Sequence, residues 1–163
     1  MTLIAIDGPA GAGKTTLAAK LERELSLKNS VCVIHMDDLY AGWENALDED
    51  LTQRLSEIVN AFTSHIQFTI SVFNWSSNSF DSYRRIEPTD ILIIEGVGAG
   101  QKVVREAAAT LYWLDIEPSL GLERVLARDG FEIELHMRQW QKDQARFFES
   151  DLTRNFADHI ISS

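Results

Sequence analysis

A single cysteine and three prolines are all that 163 residues offer of either type. One thiol cannot close an internal disulfide, and it leaves no cysteine pair for a zinc site. Cys32 lies in the apolar run Val31-Cys32-Val33-Ile34, where a thiol serves as a small buried hydrophobe. Cations are also scarce. Fifteen Lys and Arg against 25 Asp and Glu leave a net charge of −10, which argues against general affinity for nucleic acid or an anionic membrane. No apolar run approaches the roughly 18 residues that span a bilayer, and no charged segment followed by an apolar stretch opens the chain. The expected compartment is therefore the cytoplasm. The four histidines show no metal-ligand spacing, and repeats and low-complexity linkers are missing. What is present is ordinary: 45% hydrophobic residues, enough to build the core of one domain over 1–163.

Strand and helix signals alternate along the chain. Leu3-Ile4-Ala5-Ile6 reads as a strand, and 16–25 as a helix with Leu17, Leu21 and Leu25 on one face. Val31 to His35 is a continuous apolar run, as expected of a strand buried on both faces. Leu51, Leu55, Ile58, Val59 and Phe62 recur at helical spacing and predict a helix over about 49–64. Phe68 to Phe73 fits a short strand or one arm of a hairpin, and Asp90 to Glu95 a further buried strand. A short helix over 102–109 and a strand over 111–115 follow. Pro118 suits the start of a helix that runs through Arg128 and breaks at Asp129-Gly130. The pattern closes with a long helix over 136–152 and a last strand over 157–161. Alternating β and α units predict an α/β, three-layer fold: a parallel five-stranded sheet with helices on both faces. Ligands of such sheets bind at the carboxyl ends of the strands, which directs attention to Asp7-Gly8, Asp37-Asp38, Glu95 and Asp115.

The first strand runs into Gly8-Pro9-Ala10-Gly11-Ala12-Gly13-Lys14-Thr15-Thr16, the spacing of a phosphate-binding P-loop. Glycines let successive N–H groups turn inward at phosphate oxygens, and the following helix adds the positive end of its dipole. Lys14 can reach the β- and γ-phosphates and the Thr15 hydroxyl can ligate Mg²⁺, so the expected ligands are ATP and Mg²⁺. Asp37 ends the second strand, where a carboxylate can accept the proton of an attacking hydroxyl; its neighbour Asp38 faces an acceptor or caps the next turn. Glu95 ends an apolar strand in the Walker-B manner and is the expected second Mg²⁺ residue. Gly96-Val97-Gly98-Ala99-Gly100 after it lets backbone pass close to a ligand.

Aromatics gather between 40 and 85: Tyr40, Trp43, Phe73, Trp75, Phe80 and Tyr83. The same stretch holds no Lys and only Arg54, Arg84 and Arg85. An acceptor with its own phosphate would call for several cations, so an uncharged acceptor is favoured, although Arg84 and Arg85 together could clamp one phosphate. Arg124 and Arg128 stand four apart on one helix face, with Arg138 and Arg154 further on. An arginine-bearing flap there would stabilise charge on the transferred group and exclude water; Arg128 is the first candidate. His35, inside the second strand, reads as structural.

On these residues the chain resembles the uridine kinase-like group of P-loop small-molecule kinases. The phosphate loop matches. His35-Met36-Asp37-Asp38-Leu39-Tyr40 is similar to the family's aspartate motif, Ile93-Ile94-Glu95-Gly96 to its Walker-B strand, and Arg124-Val125-Leu126-Ala127-Arg128-Asp129 to its lid. The resemblance implies Asp37 as catalytic acid/base with Lys14 and Arg128, Arg124 near the triphosphate, and Glu95 at the metal. It implies an acceptor-site role for Tyr40 and a lid over 124–140; the residues themselves add Asp38, Trp43, Trp75 and Arg84 as acceptor-site candidates, with the acceptor-binding segment at about 40–87. Phe73-Asn74-Trp75 departs from it, since nucleoside-binding members often carry an Asp where Asn74 stands. The activity it implies is transfer of the γ-phosphoryl group of ATP to a hydroxyl of a small molecule such as a nucleoside, with a homodimer among the expected assemblies. Two other activities fit the motifs: a nucleoside monophosphate kinase, and an ATP-hydrolysing switch acting through a partner.

Overall fold

The run Ile91–Glu95 is buried at every position, which a strand achieves only between two neighbours under two helical layers. In the computed structural model, which describes residues 1–162, this strand is β5, and it lies between β2 (Val31–His35) and β1 (Thr2–Asp7). Beyond β1 come β6 (Thr110–Asp115) and β7 (His159–Ser162), giving a sheet of order β2-β5-β1-β6-β7 with every pairing parallel. The register sets Glu95 between Ile6 and His35, so the polar strand ends form one carboxyl edge.

Helices cover both faces. Ile4, Ile6, Val33 and Ile93 pack under α1 (Lys14–Leu25) through Ala18, Leu17 and Leu21. The alternate residues Leu3, Ala5, Ile34, Leu92 and Ile94 pack with α2 (Glu49–Thr63), α4 (Pro118–Asp129) and α5 (Glu134–Asp151). Each such aliphatic side chain contributes about 1.5–3 kcal/mol when fully buried. The side chain of Asp48 caps α2 by accepting from the Leu51 amide at 3.0 Å, and Pro118 opens α4. No helix among the described residues is long and apolar enough to cross a membrane.

The periodicity reading holds for the parallel sheet and for most helices. Segment 68–74 is β3, one arm of an antiparallel hairpin with β4 (Ser79–Ile86). β4 is polar and exposed along most of its length, so it carries no apolar alternation by which to be seen. α3 (Lys102–Arg105) is shorter than the periodicity suggests, because Ala108 takes a left-handed conformation and Thr110 already belongs to β6.

Candidate active site

The loop from Gly8 to Gly13 joins β1 to α1 along a path open only to glycine at key points. Gly8 has φ +138°, and a Cβ there would stand 2.3 Å from the carbonyl oxygen of Leu114. At Gly11 the Cβ would stand 2.4 Å from the carbonyl oxygen of Gly121. Gly13 opens instead on empty space, with nothing within 4 Å of its added Cβ. It precedes α1 without any side-chain cap, so the first-turn amides are left for a ligand. Lys14 folds back across the loop, its Nζ donating to the carbonyls of Gly8 and Pro9 at 2.8 Å each. Burial lowers its pKa to about 8 against the pull of Asp7, Glu95 and Asp37.

Glu95 is buried at the tip of β5, where its Oε1 accepts from the Thr15 hydroxyl at 3.1 Å. His35 Nδ1 lies 2.5 Å from the same oxygen; this bond, before any other influence, raises the imidazole's pKa. A hydroxyl and a carboxylate side by side under a phosphate cradle suit Mg²⁺, which keeps most of its shell as water and phosphate oxygen. His35 thus holds the Glu95 carboxylate from the neighbouring strand, a structural part in keeping with its expected one.

Asp37 sits in a one-turn 3₁₀ segment, Met36–Asp38, directly after β2. Its carboxylate opens to the cavity yet is hemmed in by protein, and this desolvation raises its pKa; the charge of Glu95 adds to the effect, while Arg128 and Lys14 oppose it. Trp75, at the end of the hairpin, donates from Nε1 to the Asp37 carbonyl at 3.0 Å and so ties β3–β4 to the backbone of this acid. Arg128 approaches from the end of α4, with its guanidinium held bidentately by Asp129. Arg124 donates to the Gly11 carbonyl at 3.4 Å.

These groups meet in one cavity of about 550 Å³. It collects Ala10, Gly11, Gly13, Lys14, Thr15, Thr16, Arg124, Asp37, Arg128, Glu95, Tyr40, Trp43 and Trp75 from the expected set. Gly8 and Pro9 face it only through Lys14, and Ala12 is buried behind the loop.

Two expectations need correction. Arg84 lies away from the cavity: it donates to the Val33 carbonyl at 2.9 Å and approaches Cys32 Sγ, because the hairpin places it over the sheet's edge strand β2. Asp38 is half-buried outside the cavity lining, since adjacent residues of the 3₁₀ turn diverge and Asp37 takes the inward direction. Tyr40 does line the cavity, but its hydroxyl is committed to the Val97 carbonyl at 2.6 Å. Ile133, Met137 and Trp140 also line the cavity, on the opposite wall, from α5 and the turn before it; their helical spacing in the sequence is that of ordinary core.

In the sequence Asp7 is marked only as the end of a strand. Fully buried, it accepts from the amides of Gly8 at 2.7 Å, Gly98 at 3.0 Å and Gly100 at 2.7 Å, lacing the phosphate loop to the loop after β5. Desolvation outweighs these donors and raises its pKa from 3.8 to about 6. Asp7→Ala strands three amides and should cost about 2–4 kcal/mol in urea unfolding. The stability tied to this titration is complete below pH 3.8 and is lost as pH rises through about 6. Relative to Asp7→Asn, the wild type should therefore lose roughly 2 kcal/mol between pH 4 and 7, a difference measurable by urea titration at each pH.

A parallel sheet of this order, with a glycine cradle at the end of β1 and an acid at the end of β5, defines a P-loop nucleoside-triphosphate-binding fold. The chain belongs to the AAA domain family, whose profile matches residues 4–148. Its fold is shared with P-loop kinases. A possible uridine kinase from Bacillus stearothermophilus is 25% identical with a TM-score of 0.68, over 98% of this chain and 88% of that one. Shikimate kinase from Acinetobacter baumannii, solved with shikimate, is 20% identical with a TM-score of 0.58, over 100% and 84%. Shikimate kinase from Bacteroides thetaiotaomicron is 17% identical with a TM-score of 0.55, over 99% and 85%. No curated protein sequence matches.

Proposed function

We propose that this chain binds ATP with Mg²⁺ and transfers the γ-phosphoryl group to a hydroxyl of a small molecule. The observation that carries the reading is Asp37 in the same cavity as the phosphate cradle, Lys14 and Arg128. The nucleotide with its metal supplies the electrophilic phosphorus. The loop amides and Lys14 hold the phosphates, while Thr15 and Glu95 hold the cation. Asp37 accepts the hydroxyl proton as the acceptor oxygen bonds to phosphorus and the bond to the leaving ADP breaks. Arg128, with Arg124 beside it, neutralises charge building on the transferred group.

In this reading 40–87 is the acceptor segment of a single domain and 124–140 is its lid. A nucleoside is the acceptor suggested by the resemblance to uridine kinase-like proteins and by the possible uridine kinase among the neighbours, and the compartment in this reading is the cytoplasm. The test is ADP release with and without Mg²⁺ over a panel of alcohols, nucleosides and nucleoside monophosphates. Turnover should require both Mg²⁺ and an acceptor; equal turnover without any acceptor would favour a hydrolysing switch.

A further inference from the structure

We propose that the acceptor is an uncharged, largely apolar alcohol rather than a nucleoside, a sugar or an acid; the proposal rests on the kinase reading and narrows it. Away from the phosphate loop the cavity is walled by Tyr40, Trp43, Trp75, Ile133, Met137 and Trp140. Four of these are aromatic, set edge to face: Trp43 meets Trp75 at 66° and Trp140 at 86°, and Tyr40 meets Trp140 at 69°. His136 lies flat against Trp43 and backs it from α5. Such a wall offers a ligand area and dispersion.

It offers little else. The Tyr40 hydroxyl is spent on the Val97 carbonyl and the Trp75 N–H on that of Asp37, so the polar groups these side chains leave open are the indole N–H groups of Trp43 and Trp140. The polar edge of a base, or the several hydroxyls of a sugar, would shed water against this wall with few partners in return. Charge leads to the same conclusion. The cavity's cations, Lys14, Arg124 and Arg128, come from the phosphate loop, α1 and α4. The three guanidinium groups of the acceptor segment are engaged elsewhere. Arg54 lies over Phe80 and donates to the Leu39 carbonyl, Arg84 donates to Val33, and Arg85 pairs with Glu87. No charged residue stands among the six wall residues, so an ionic head seated against them finds no partner at that wall. Asp37, tied to the wall through Trp75, would further repel an anion.

Four probes separate the classes: 4-methylbenzyl alcohol, its carboxylate analogue 4-(hydroxymethyl)benzoate, its ammonium analogue 4-(aminomethyl)benzyl alcohol, and uridine. Each is titrated by tryptophan fluorescence with Mg²⁺ and a non-hydrolysable ATP analogue, then tested for ADP release with ATP. The neutral benzyl alcohol should bind at least ~100-fold more tightly than the carboxylate, the ammonium or uridine, and should stimulate ADP release. Ile133→Arg, at a half-buried wall position, should cut the preference over the carboxylate at least ~10-fold while the ATP analogue still protects the variant from thermal unfolding. Equal or tighter binding of uridine or of either charged analogue overturns the proposal, as does the failure of the neutral alcohol to bind. Selective binding of the neutral alcohol without any ADP release supports the apolar site and overturns the kinase reading. ADP release stimulated by uridine alone upholds the kinase reading and overturns this one.

Discussion

Asp37→Asn should slow phosphoryl transfer by ~10²–10⁴-fold, the usual worth of a positioned general base, while ATP binding stays close to wild type. The amide keeps the shape of the side chain and its place in the 3₁₀ turn after β2. It cannot take the hydroxyl proton. Single-turnover rates and nucleotide titration separate the two effects. The wild-type pH profile should carry the same signature. Desolvation and the nearby Glu95 raise the pKa of Asp37, and the base works only when ionised. The rate should therefore climb with pH through a midpoint above the ordinary carboxylate range, and this acid limb should be missing in Asp37→Asn. Asp38→Asn, outside the cavity lining, should be mild; if it is the crippling change, the base has been assigned to the wrong member of the pair.

Lys14→Ala should reduce transfer by at least ~10²–10³-fold, the scale for loss of one preorganised charge-stabilising donor. Unlike Asp37→Asn, it should also weaken nucleotide binding. Lys14 now holds the carbonyls of Gly8 and Pro9 and carries a pKa lowered to about 8 by burial. A phosphate arriving in the cradle gives that desolvated ammonium its natural partner. ATP should raise the melting temperature of the wild type by ligand linkage, and Lys14→Ala should lose most of that shift. Retention of both the shift and the activity would remove the phosphate-loop argument.

The parts of this molecule that were legible in the sequence are those whose physics is local. A glycine path closed by Leu114 and Gly121, a buried parallel strand and an amphipathic helix each leave their pattern within a few consecutive residues. Asp37, Glu95 and Thr15 could be proposed because each follows directly from such a pattern. Contacts between distant segments leave no such trace. Arg84 looked available to an acceptor because nothing in its neighbourhood shows that the hairpin lays it over β2. Trp140 carries no mark of a cavity wall in the sequence, because helical spacing is the same for a residue that packs inward and for one that also walls a cavity. Asp7 looked incidental because two of its three donors lie more than ninety residues away.

The buried side chain of Gln144 accepts from the amide of Ala10 at 3.1 Å, one turn along the same helix from Trp140. A rigid rod thus has one grip on the phosphate cradle and another on the opposite wall of the pocket. Any settling of that rod around one guest would be felt by the seat of the other. Thermodynamic reciprocity would then make the two guests raise, or lower, each other's affinity by the same factor.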